Sequence, residues 1–336
     1  MIWARAEGCR VWDENGREYL DLSAGFGVAA LGHRNPRIME AIAAAPVAHA
    51  LGDLADAEVT RRLREALPWP SKLGVTGADA VEIALRTALL ATEKPGILGF
   101  DDGYHGTSLL ALAATGMERF RAPFAPWLPG PVHRRAYGED PGPLPDDTSC
   151  VIAEPVQGRA GARVPPPGWL ELLRERCDAA SALLIVDSIY AGLGRIGKVW
   201  PGAEVADVLC IGKALGGGLP LSAALFLRRD LPGLWDLGPE DVFTQTHVGN
   251  PLACAAALVV LEEVPRLLDR VHEAGERFEA AGWWGAGLLR ARPGDAAAAE
   301  RQGVIVIPLG DGSLVSATPP LTISDADLDE AFALLG

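Results

Sequence analysis

Apolar residues in the middle of the chain gather into runs of four or five: Gly96–Phe100, Cys150–Ala153, Leu183–Val186, Val208–Ile211 and Ala223–Leu227. Longer stretches with helical periodicity lie between them. This alternation predicts a parallel sheet flanked by helices, an α/β architecture. Val81, Ala84, Leu85, Ala88 and Leu89 follow Thr76 with the spacing of an amphipathic helix. Residues 122–145 are rich in proline and glycine and read as a long surface connection. The stretch 291–300 is alanine-rich and weakly patterned, a short helix or loop. There is no internal repeat.

Three of the apolar runs end directly in a polar residue: Glu154, Asp187 and, after Gly212, Lys213. Open α/β sheets bind ligands beyond the carboxyl ends of their strands, so these residues are expected to converge on one crevice. A lysine placed after a buried strand and before a glycine-rich turn sits where a buried amine can form, and desolvation there favours its neutral, nucleophilic form. Alone, such a lysine is more often a solvated surface charge. Asp187 supplies a second anchor. A buried amine and a buried carboxylate are what pyridoxal phosphate requires, one to form a Schiff base and the other to keep the ring nitrogen protonated.

The stretch Asp187-Ser188-Ile189-Tyr190-Ala191-Gly192-Leu193-Gly194-Arg195-Ile196-Gly197 resembles the signature of class III pyridoxal-phosphate aminotransferases. Further matches fall in family order: Trp12 to Asp21, Thr76-Gly77-Ala78-Asp79, Gly103-Tyr104-His105-Gly106, Glu154-Pro155-Val156-Gln157-Gly158, and Thr246 to Cys254. The resemblance runs nearly end to end, and it implies a shortened member of fold type I. Such enzymes have a mainly parallel seven-stranded large domain and a small α/β domain built from both chain ends. The expected division is 1–45 and 246–336 for the small domain and interface helix, with 46–245 for the cofactor-binding domain. Family members are homodimers with shared active sites.

The same resemblance implies roles. Lys213 and Asp187 are the catalytic pair. Gly77 and Ala78 offer amides to the cofactor phosphate at a helix start, although Thr76 and Asp79 also suit an ordinary N-cap. Relatives carry Ser or Thr at Ala78, so a hydroxyl contact is missing and weaker cofactor retention is expected. Tyr104 stacks on the pyridine ring, His105 belongs to the same motif, and Ile189 packs the opposite face. For Tyr104 and Ile189, plain core packing is the alternative. Tyr190 replaces a glutamine near the phenolic oxygen and narrows the pocket. Glu154 and Gln157 support the ring-nitrogen side and the covering loop. Thr246 reaches the partner's phosphate, and His247 packs.

Substrate contacts depart from the family pattern. An arginine that clamps the substrate carboxylate in amino-acid-specific relatives is replaced by Ser316, and another by Thr107. Arg159 stands where several relatives have glutamate, as a relocated anion contact or a structural arginine. The losses point to an amino acid donor and an aldehyde or ketone acceptor in specialised biosynthesis. The same cofactor chemistry is open to a decarboxylase, racemase or aminomutase, and the fold to a non-catalytic interaction protein.

With 336 residues, 49% of them hydrophobic, the chain can bury a large core. Its formal charge of −14 argues against nucleic acid and anionic membranes as partners. Five cysteines without metal-ligand spacing, and a start lacking a signal-peptide core, suggest reduced thiols in the cytoplasm.

Overall fold

The computed structural model describes residues 1–51, 55–238 and 242–336. Its centre is the expected mainly parallel sheet of seven strands. In spatial order they are Ser71–Gly74, Ser222–Phe226, Val208–Ile211, Leu183–Asp187, Thr148–Ala153, Gly96–Phe100 and Val132–Arg135. Only Ser222–Phe226 runs against its neighbours. The other six strands therefore deliver their carboxyl ends to one edge of the sheet.

The five inner strands are buried throughout. A strand covered on both faces has no solvent side, so its sequence is apolar without alternation. That is why these strands are visible in the hydrophobic pattern. The two edge strands, Ser-Lys-Leu-Gly and Val-His-Arg-Arg, are partly solvated and carry charge, which blunts edge pairing and hides them from the same pattern. Val132–Arg135 lies inside the stretch expected to be connection alone, which also contains a 3-10 turn at Ala122–Trp127.

The helix after Thr76 spans Gly77–Thr92. Its capping box is complete: Asp79 N–H donates to the Thr76 hydroxyl, and the Asp79 carboxylate accepts from Thr76 N–H. Ala80, Val81, Ile83, Ala84, Leu85 and Ala88 are fully buried against Ile152, Ile185 and Cys210 of the sheet. This packing fixes the helix with its N-terminus at the carboxyl edge of the strands.

Two smaller sheets flank the core. In one, Trp3–Glu7, Arg10–Asp13 and Glu18–Asp21 form a meander joined by Val304–Ile305, so early and late segments share a sheet. The other is antiparallel, in the order Trp284–Ala286, Leu289–Pro293, Leu314–Ala317, Ile307–Leu309. The alanine-rich stretch divides between the strand Leu289–Pro293 and a helix at Ala296–Arg301. All five cysteines are buried and unpaired. Among the described residues no helix is long and apolar enough to cross a membrane.

Candidate active site

A cavity of about 320 Å³ opens at the carboxyl edge of the central sheet. It gathers Gly77, Ala78, Tyr104, His105, Glu154, Arg159, Asp187, Ile189, Tyr190 and Lys213, and adds Thr76, Gly106 and Thr107. Strand ends set this convergence. Asp187 closes its strand, Glu154 follows Ala153, Lys213 follows Ile211 by two residues, and Tyr104 and His105 follow Phe100 through one turn.

Asp187 is held by two donors. His105 Nδ1 lies 2.8 Å from Oδ2, and Ile189 N–H donates to Oδ1 at 3.1 Å. His105 is fixed in turn by its backbone N–H, which donates to the Thr115 hydroxyl. Beside them Glu154 accepts from Tyr104 N–H at 2.9 Å. Burial pushes the Glu154 carboxyl up to about 7, the nearby Asp187 charge adding to the effect and His105 opposing it. Two neighbouring carboxyl groups thus have different surroundings: Asp187 is cradled by donors, and Glu154 takes up a proton near neutrality.

Lys213 opens the turn after its strand with φ of +36°, a conformation that L-residues seldom adopt. Its ammonium makes no hydrogen bond or ion pair among the described residues and sits 4.4 Å from the centroid of the Tyr190 ring. Burial holds the lysine below its ordinary pKa, with the Arg159 charge adding to the depression and Asp187 and Glu154 opposing it. Burial thus favours the neutral amine, the form a nucleophile requires.

The residues present fit pyridoxal phosphate. The amides of Gly77 and Ala78, at the first turn of a 16-residue helix, have no protein acceptor among the described residues, as an anion site requires. Ile189 lies directly over this turn. A Cβ on Gly77 would come within 3.0 Å of Ile189 Cγ2, so glycine keeps the cradle open. Ser222, which the sequence did not single out, donates to the Thr76 carbonyl at 2.6 Å and braces the helix cap. Tyr104 packs edge-on against Phe120, with ring centroids 5.2 Å apart. Tyr190 presents its ring face to Lys213 and is seated on Gly158, where a Cβ would lie 2.4 Å from the ring.

Three expected site residues lie elsewhere. Gln157 is buried and not part of the cavity lining, its amide donating to the Asp101 carbonyl at 2.8 Å and so tying two loops. Ser316 is fully buried within the strand Leu314–Ala317, and its short side chain does not reach the cavity. Thr246 is exposed and outside the cavity lining of its own chain. Phe120 and Phe26, which approach Arg159, gave no sequence signal because neither belongs to a motif.

Comparison with known proteins agrees with this geometry. Residues 1–281 match the family model described as aminotransferase class-III. An acetylornithine aminotransferase of Methanopyrus kandleri is 38% identical over 81% of this chain and 72% of its own length. Another, from Streptomyces clavuligerus, is 35% identical over 98% of this chain and 88% of its own. Among solved structures, the ornithine aminotransferase of Toxoplasma gondii has a TM-score of 0.90 at 27% identity, covering 99% of this chain and 89% of that one. A PLP-bound amine transaminase from an uncultivated Pseudomonas species has a TM-score of 0.89 at 26% identity, covering 100% and 93%. The chain belongs to the class-III aminotransferases, enzymes of fold type I that use pyridoxal phosphate to move an amino group from an amine donor to a carbonyl acceptor.

Proposed function

We propose that Lys213 and Asp187 carry this transfer, with an amino acid as donor and an aldehyde or ketone of specialised biosynthesis as acceptor. The observation that carries the assignment of roles is the convergence on one cavity of a pKa-depressed Lys213, without a hydrogen-bond or ion-pair partner among the described residues, and a donor-cradled Asp187. When bound, pyridoxal phosphate supplies the aldehyde that captures amines and a protonated ring that takes up electrons as a substrate bond breaks. Lys213 Nζ holds the cofactor at rest and, once released, moves the proton at the substrate carbon. Asp187 would lie at the ring nitrogen of the bound cofactor and keep it protonated. His105 and the Ile189 amide hold that carboxylate in place. The Gly77 and Ala78 amides would bind the phosphate, and Tyr104 and Ile189 would enclose the ring.

The acceptor class is inferred from Thr107 and Ser316, which stand where amino-acid-specific relatives carry arginines. The reading also includes a cytoplasmic homodimer in which Thr246 completes the partner's phosphate site. It includes the division of the chain at about residues 45 and 245. Exposed Phe124 and Trp127, 53% and 74% accessible, supply apolar surface of the kind a dimer buries. A donor–acceptor screen on purified protein with pyridoxal phosphate tests the function. Amine products from aldehydes or ketones support it. Strict dependence on ornithine-type donors with α-keto acids rejects the acceptor class, while carbon dioxide release or loss of optical activity without amine transfer rejects the transfer itself.

A further inference from the structure

We propose that Arg159 is the anion clamp of the substrate pocket, receiving a carboxylate of the amine donor. The inference rests on the aminotransferase reading above and names the chemistry by which this chain recognises its donor.

The guanidinium lines the same cavity as Lys213. Its carbon lies 4.5 Å from the Tyr104 ring centroid, 5.2 Å from Phe120 and 5.7 Å from Phe26. Aromatic faces hold the guanidinium plane while leaving its N–H edge free to bind. That edge is unused: Arg159 forms no hydrogen bond or ion pair among the described residues, and its Nε is buried without a partner. A nearby arginine shows the contrast, since Arg163 pairs with Asp102 at 3.2 Å. In a chain with 44 acidic residues against 30 basic ones, an arginine at a cavity with no acidic partner among the described residues is free to take an anion.

The protein's own carboxylates at the cavity do not fill it. Glu154 accepts from Tyr104 N–H, and Asp187 from His105 and Ile189 N–H. The cofactor phosphate has a separate cradle at the Gly77 and Ala78 amides. What remains is a planar, bidentate donor suited to a substrate carboxylate. The Arg159 charge also helps depress Lys213, so an anion seated on the guanidinium would return part of that shift as substrate enters.

The test uses holoenzyme of the wild type, Arg159→Lys and Arg159→Gln. Calorimetric titration with acetate, succinate and glutarate, which carry no amine and cannot react, reads the clamp directly, with glutaramide as the neutral control. At least one carboxylate is expected to bind the wild type, and Arg159→Gln to weaken it roughly 10- to 100-fold, Arg159→Lys falling between. The ratio of kcat/KM for L-alanine over isopropylamine, which replaces the carboxylate by a methyl, should fall by a similar factor. No carboxylate binding to the wild type overturns the proposal. So does an equal loss for glutaramide, which would make Arg159 a packing residue. Weakened pyridoxal phosphate retention with unchanged carboxylate affinity would assign the arginine to the cofactor instead. If the transfer reading itself fails, no donor gives product amine, yet the calorimetric answer still stands on its own.

Discussion

His105 Nδ1 and Asp187 Oδ2 are 2.8 Å apart, and both side chains are buried. The contact gives Asp187, which lines the cavity, a fixed orientation. Asp187→Asn keeps the size and the acceptor oxygen but removes the charge. It should retain pyridoxal phosphate and lower kcat on the order of 10²- to 10³-fold. His105→Asn leaves the Asp187 carboxylate in place but removes one of its two donors, and should cost less. Single-turnover rates of the two variants decide it, and a larger loss for His105→Asn would move the catalytic role away from Asp187.

Lys213 adopts φ of +36°, where a residue with a Cβ is strained. Catalysis therefore holds a backbone conformation that stability disfavours. Lys213→Gly relieves both the strain and the desolvated amine, whereas Lys213→Ala relieves only the amine. The glycine variant of the apoprotein should be more stable than the alanine variant by about 1 kcal/mol, measured by chemical denaturation. Both variants should lose turnover, and borohydride should no longer attach the cofactor to the protein.

The sequence showed Asp187, Glu154 and Lys213 because each ends or closely follows a strand buried on both faces, where an uninterrupted apolar run makes the polar residue after it conspicuous. Where burial is one-sided the signal fades, as at the edge strands Ser71–Gly74 and Val132–Arg135. Motif membership alone does not place a residue in the cavity lining. Gln157 shares a motif with Glu154, yet its amide secures the Asp101 carbonyl and it is not among the residues that line the cavity. Phe26 and Phe120 reach Arg159 only through tertiary folding, from segments distant in sequence, so no local pattern could announce them.

Ala78 lines the cavity at the helix start, the proposed phosphate site, with a methyl group beside an amide that has no acceptor among the described residues. Ala78→Ser adds a donor where a charged oxygen is expected. Hydrogen bonds to charged groups are the stronger class, so pyridoxal phosphate affinity should rise roughly 10-fold. Visible absorbance titration of the apoprotein reads this. Unchanged affinity would place the phosphate outside the first turn of the helix.

Glu154 sets a stability profile. Its folded-state value of about 7 lies above the ordinary 4.5, so the native state binds this proton more tightly than the unfolded chain. The resulting stabilisation is complete below pH 4.5 and is lost as pH rises toward 7. Glu154→Gln keeps the acceptor for Tyr104 N–H and removes the titration. From pH 4.5 to 8, the apoprotein should lose up to about 3 kcal/mol relative to this variant. Parallel denaturation profiles across that range would show that the carboxyl stays ionised.

Gly158 and Tyr190 form a coupled pair. A Cβ on Gly158 would lie 2.4 Å from the Tyr190 ring edge and 2.8 Å from the next ring atom, too close for any rotamer adjustment of a ring that is itself buried. The ring also faces the Lys213 amine at 4.4 Å, so displacing it changes the site as well as the packing. Gly158→Ala should therefore destabilise the protein by about 1–3 kcal/mol through overpacking and disturb turnover at the same time. Tyr190→Gln, which restores the residue usual in relatives, removes the opposing ring. In that background the added methyl should cost little, giving a coupling energy of about 1 kcal/mol or more between the two sites. Additive effects in the double-mutant cycle would show that Gly158 is required by its own backbone and not by the tyrosine.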